Sequence, residues 1–215
     1  MPSSAYKHFR KNVIDVHRLI EAHSELTPNH PGKRGLGHIT RSGIVMLCAC
    51  WEQYVEAVLI ESARKLALAY ETPDQLPLSI KKHLSKRVKS DKHELKPLEL
   101  SGYGWRSVYD AFCCTDVGNL NTPKTENLKE LYGDYLGINN ISNHWKVSGV
   151  YIDDFVSLRG DIAHQGRSAR YVSISELEAY EKEIYLNCLH MDNSLCNYIH
   201  GIIGGTVQPW RKATK

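Results

Sequence analysis

Apolar residues recur at helical spacing along nearly the whole chain, and stretches of strict alternation are scarce. Tyr6, Phe9, Val13, Val16 and Ile20 step along one face of a first helix that stops before the loop TPNHPGKRG. A second helix starts near Thr40 and runs to about Tyr70. There Ile44, Leu47, Trp51, Val55, Val58, Ser62 and Leu66 hold one face for roughly 45 Å at 1.5 Å per residue, a length suited to the spine of a bundle. Pro73 and Pro77 break the pattern. A short helix is expected over residues 103–112, with CCTDVGNLN after it as loop. Thr122 and Pro123 open a further helix that Gly137 stops. Residues 147–165 form another, with Gly166 as its C-terminal cap, and the box Ser173-x-x-Glu176 opens a last long helix that runs to Gly204 and Gly205. The pattern predicts an all-α fold, a helical bundle of four main helices with short helices inserted. One domain is expected over residues 1–205, followed by a loose tail at 206–215.

Composition narrows the field only slightly. With 215 residues, 42% of them hydrophobic, the chain has enough material for one sizeable core. A formal net charge of +3 is too small to mark a nucleic-acid binder, so only local clustering carries that inference. There is no uninterrupted apolar run of membrane-spanning length, and MPSSAYKHFRKNV lacks the apolar stretch of a secretory signal, so a cytoplasmic protein is expected. Six cysteines, Cys48, Cys50, Cys113, Cys114, Cys188 and Cys196, form no CxxC pair and read as buried thiols. Cys188, Asp192, Cys196 and His200 share one helix face but extend over about 18 Å of axis, too far to converge on one ion. No metal site and no cofactor is expected.

The chemistry concentrates in SLRGDIAHQGR, residues 157–167. Ile152, Phe155, Val156 and Ile162 mark an apolar stripe, and Arg159 falls on that stripe. A charge placed there needs a carboxylate, a phosphate, or a partner surface that keeps it hydrated. The planar fork of donors suits two-point contact with phosphate. His164 follows five residues later, about 140° further around an ideal helix, so one helix does not aim both side chains at one atom. A second copy of the helix across a two-fold axis is one way to bring them together. Asp161 stands three positions before His164, where a carboxylate favours the imidazolium and orients the ring. The same Arg-to-His spacing occurs by accident at Arg18 and His23, but Arg18 lies about 100° off its own apolar stripe and points to solvent.

LRGDIAHQG resembles the signature of the HEPN superfamily (higher eukaryotes and prokaryotes nucleotide-binding), all-helical proteins of which many are metal-independent ribonucleases. The long ACWEQYVEAVLIESARKLA helix, the TPKTENLKELYGDYLGI segment with Trp145 after it, and the capped last helix are similar to the RiboL-PSP subgroup. The resemblance spans about residues 39–203. It implies that Arg159 and His164 are catalytic, with Asp161 beside them, in a cleft made by two protomers packed through this helix. It also implies transesterification of RNA by the ribose 2′-hydroxyl, and a toxin or phage-defence role restrained by an antitoxin or regulatory partner. In the family the residue after the arginine is commonly polar; here it is Gly160, with the acid displaced to Asp161.

Three further features carry alternatives. The segment from Lys81 to Lys96 is either a solvated helix face or a patch that tracks an RNA backbone; Lys81, Lys82, Lys86, Arg87 and Lys89, with Arg167 beyond the motif, are the candidate RNA-binding residues. Tyr103, Trp105 and Trp145 are core residues or stacking platforms. Glu52, on the long helix, is a candidate internal partner for Arg159, an arrangement that needs no catalysis.

Overall fold

The computed structural model describes residues 1–27, 34–205 and 207–214. Among them every regular element is helical: α1 (Ser4–Asn12), α2 (Ile14–Glu25), α3 (Gly37–Ala69), α4 (Leu78–Ser90), α5 (Gly104–Gly118), α6 (Thr125–Leu136), α7 (Gly149–Gln165) and α8 (Ile174–Ile202), with short 3-10 turns between some of them. The expected all-α bundle is what forms.

α3 is the spine, and α1, α2, α5, α6, α7 and α8 all pack on it. Its apolar residues surround the helix because neighbours do, burying Ile44, Leu47, Trp51, Tyr54, Val55, Val58, Leu59 and Leu66. By length and hydropathy α3 could also cross a membrane, but 56% of its most apolar window is buried within the bundle. At Gly43 the spine meets α8 so closely that an added Cβ would lie 2.5 Å from Leu177 Cδ2. Buried tyrosines tie the layers through backbone carbonyls: Tyr54 donates to Cys188 at 2.9 Å and Tyr132 to Val55 at 2.7 Å.

The helix ends follow local rules. The Ser148 and Ser173 hydroxyls accept from the amides of Tyr151 and Glu176, at 3.2 and 3.1 Å, capping α7 and α8. The box at Ser173 is only half made, because the Glu176 carboxylate turns to Arg170 at 2.6 Å. Gly137, at φ 72°, ends α6 in the left-handed conformation.

Three expectations need correction, and one pair of alternatives is decided. The first helix breaks at Val13 into α1 and α2. α5 continues through Cys113 and Cys114 to Gly118, so the expected loop is helix; Phe112, Cys113 and Val117 supply a buried face that holds it. For Trp145 and Trp105 the core alternative is the one realised, Trp145 edge-on to Trp51 and Trp105 donating to the Glu71 carbonyl. The tail is docked over 207–214: the Trp210 indole is buried and donates to the Asp192 carbonyl at 3.2 Å, and the Arg211 amide donates to the Met1 carbonyl at 3.0 Å. Asp192 receives the Ser3 hydroxyl, so both ends of the chain converge on one face of α8.

Candidate active site at the seam of α3 and α7

α7 lies antiparallel to α3, with Arg159 opposite Cys48 and Glu52 and the Ile162 to Arg167 end opposite Arg41 to Met46. Ile152, Phe155, Val156, Leu158 and Ile162 anchor the helix in the core. They fix Arg159 in the seam, where its Nη2 donates to Glu52 Oε2 at 3.0 Å. The acid alternative for this arginine is therefore realised within one subunit. The pair is not sealed: the side chains are 29% and 21% exposed. Of the five donors on the guanidinium, one meets Glu52, and the fork also reaches the Cys48 thiol.

The seam is electrically unusual for its depth. Burial pushes the Cys48 thiol up to about 11 against the opposing pull of the Arg159 guanidinium. Glu56, one turn along α3 from Glu52 but lining a neighbouring pocket with His8, Asn12 and Val117, is raised to about 7, mainly by burial and further by the Glu52 charge.

His164 is exposed on the last turn of α7, and Gly166, at φ 55°, turns the chain away directly after it. Asp161 is also exposed, and its charge is felt by Arg170. Among the described residues no hydrogen bond or ion pair joins Asp161 to His164, so the expected orienting contact is not made within the subunit. One chain thus offers the arginine in the seam and the histidine to solvent, on different sides of α7.

Beyond the arginine the seam opens into two adjoining pockets of about 470 and 600 Å³. His38, Arg41 and Arg167 line both, Val45, Met46 and Ile162 form an apolar floor in the first, and Tyr171 with Gly37 lines the second. Of these charged groups, sequence reasoning had singled out only Arg167. The available signal was GHITR, which sets His38 and Arg41 one turn apart at the start of α3.

The basic segment lies on α4, which packs chiefly on α6. Lys82, Lys86 and Lys89 form an exposed row, while Lys81 donates to the Asp74 carbonyl at 2.8 Å. Arg87 leaves the row: it pairs with Asp116 at 3.1 Å and lies over the Phe112 ring.

Residues 11–203 match the sequence model of the RiboL-PSP-HEPN family. The chain belongs to that family. No curated protein and no solved structure matches it. RiboL-PSP-HEPN membership places the chain among nuclease-type or RNA-related helical modules, a superfamily that generally includes ribonucleases. The match covers α2 through α8 and includes the Arg159 to His164 interval.

Proposed function

We propose that this protein is a metal-independent endoribonuclease acting as a homodimer through α7, with Arg159 and His164 as its catalytic residues. The observation that carries the reading is the partly exposed Arg159 fork, held at one point by Glu52 with donors left for an incoming anion. A second copy of α7 across a two-fold axis supplies what one copy lacks, an imidazole facing that fork.

In the reaction the ribose 2′-oxygen attacks the adjacent phosphorus. The bond to the 5′-oxygen breaks as the bond from the 2′-oxygen forms, leaving a 2′,3′-cyclic phosphate and a 5′-hydroxyl. The proton of the 2′-hydroxyl is taken up, and one is returned to the departing 5′-oxygen. His164, exposed and carrying an imidazole that can both accept and donate a proton, performs or positions these transfers. Arg159 stabilises charge that builds on the phosphoryl oxygens. DNA lacks the nucleophile and is left intact. The same reading extends to a toxin or phage-defence role, with an antitoxin or other regulatory partner, as the resemblance implies; expression of the intact chain is expected to slow growth while His164→Ala does not, and equal growth of the two strains counts against it.

The Arg159–Glu52 pair itself favours a second reading, a non-catalytic module that binds RNA, nucleotide or a protein partner through the same cleft. Incubating wild type, Arg159→Ala and His164→Ala with single-stranded RNA in EDTA separates the two. Cleavage lost in both variants supports the nuclease; binding without cleavage by any version supports the module.

A further inference from the structure

The pockets at the open end of the seam gather two arginines, a histidine and an exposed tyrosine. Arg41 and Tyr171 converge on one point: a Cβ placed on Gly37 would lie 3.1 Å from Arg41 Nη1 and 3.6 Å from the Tyr171 ring. Arg167 lines the same 600 Å³ space from the far end of α7. Neither Arg41 nor Arg167 makes an ion pair among the described residues, unlike Arg64, Arg87, Arg159 and Arg170. Tyr171 is 48% exposed, a large aromatic face kept in solvent beside two guanidinium groups. His38 Nδ1 donates to the Gly35 carbonyl at 3.2 Å, which fixes the ring at the mouth of the pocket. α3 begins at this pocket with no side-chain cap and no acid in its first turn, which leaves its positive end toward the pocket uncapped among the described residues.

From these positions we infer that Arg41 and Arg167 hold a phosphate of single-stranded RNA while an unpaired base stacks on Tyr171, a subsite flanking the scissile position at Arg159. The inference rests on the ribonuclease reading and adds a substrate class to it. Glu52, which holds Arg159, lies eleven residues from Arg41, about 16 Å along α3 or roughly five stacked nucleotides at 3.4 Å each. A base available for stacking must be unpaired, so duplex RNA fits poorly.

The test uses the full chain and a single-stranded RNA methylated at every 2′-oxygen, which keeps phosphates and bases but has no nucleophile. Affinity is read by fluorescence anisotropy at several salt concentrations, with thermal melts showing that each variant folds. The double variant Arg41→Ala/Arg167→Ala is expected to bind at least about tenfold more weakly and to lower the log–log salt slope by about 1.4, two phosphates at 0.7 each. Tyr171→Ala is expected to lose about tenfold and Tyr171→Phe to restore it, because the ring face does the stacking. Gly37→Leu fills the pocket without changing charge and is also expected to weaken binding. Unchanged affinity and slope in all of these variants overturns the subsite, whatever the cleavage result. Equal competition by inorganic phosphate and by the strand, at matched phosphate concentration, overturns the assignment to RNA. If no version cleaves unmodified RNA but the methylated strand still binds through Arg41 and Arg167, the ribonuclease reading falls and the subsite stands.

Discussion

On α4, Arg87 turns inward to Asp116, and His83 stands between Asp134, at 3.2 Å, and Asp116, at 3.8 Å. Tyr135 adds a hydrogen bond to Asp116 at 2.5 Å, so the Arg87 guanidinium of this region is matched by an acid within the fold, although His83 Nε2 is buried without a hydrogen-bond partner. Only the lysine row remains, long flexible side chains in solvent that contribute a general field. At the end of α7 the arrangement is different. Arg159 has one acid at one point, His164 has solvent, and Arg41 and Arg167 face an open groove. Equal numbers of cations on a sequence therefore mean different things. What separates a structural cation from one placed to receive a ligand is how much of its donor capacity the fold consumes.

That difference can be broken or sharpened by mutation. The largest effect is expected from Arg159→Ala and His164→Ala, each lowering cleavage by roughly a hundredfold or more, while Lys82→Gln/Lys86→Gln changes the rate at saturating RNA less than about threefold. Single-turnover kinetics provide the measurement, and similar losses from both sets would erase the distinction. Next come stabilities. Asp116→Ala removes the acceptor for Tyr135 and Arg87 and is expected to cost about 2 kcal/mol in denaturant unfolding with cleavage retained. For Glu52 and Arg159, both partly exposed, a double-mutant cycle should show coupling of about 1 kcal/mol or less. A coupling several times larger would make Arg159 a structural residue like Arg87.

Two partly buried groups, Glu56 on α3 and His83 on α4, should give pH dependences of opposite sense. Glu56 is raised in the fold from 4.5 to about 7, so its contribution is fully present below 4.5 and is lost as pH rises through 7. Glu56→Gln should therefore flatten the neutral limb of the stability profile, by about 1 kcal/mol at pH 8 after allowing for partial exposure. For His83, burial outweighs Asp134 and Asp116 and lowers it below 6.5, so its contribution is present above 6.5 and is lost as pH falls through the lowered value. His83→Gln should flatten the acid limb, and thermal melts across pH report both. The smallest effect is that of the lysine row: each lysine changed to glutamine should reduce the salt slope of RNA binding by about 0.7 if it touches phosphate, and by nothing if it only faces solvent.

Features set by nearby residues could be read from the chain. The face running from Ile44 to Leu66 locates α3, Gly137 ends α6, and Ser173 opens α8. That Arg159 needs an acid, a phosphate or a hydrating partner is legible from its place on an apolar stripe, with Glu52 one candidate, and the fold supplies Glu52. Features set by distant contacts were hidden. Nothing near Trp210 indicates that Asp192 and Cys196 would receive it, and nothing near Arg87 distinguishes it from its neighbouring lysines until Asp116 arrives from α5. The expected loop at Cys113 failed for the same reason, since its buried face exists only where α3 and α6 pack on α5. Arg41 and Tyr171 escaped notice because each is unremarkable alone, and only the packing of the α7 end against the start of α3 joins them.

The central claim is that the Arg159 fork, although held by Glu52, still receives a phosphate during RNA cleavage. The most direct measurement is end-group analysis of single-stranded RNA incubated with purified protein in EDTA, beside Arg159→Ala. The account predicts fragments ending in 2′,3′-cyclic phosphate from wild type and intact RNA from the variant; intact RNA from both, or the same fragments from both, would contradict it.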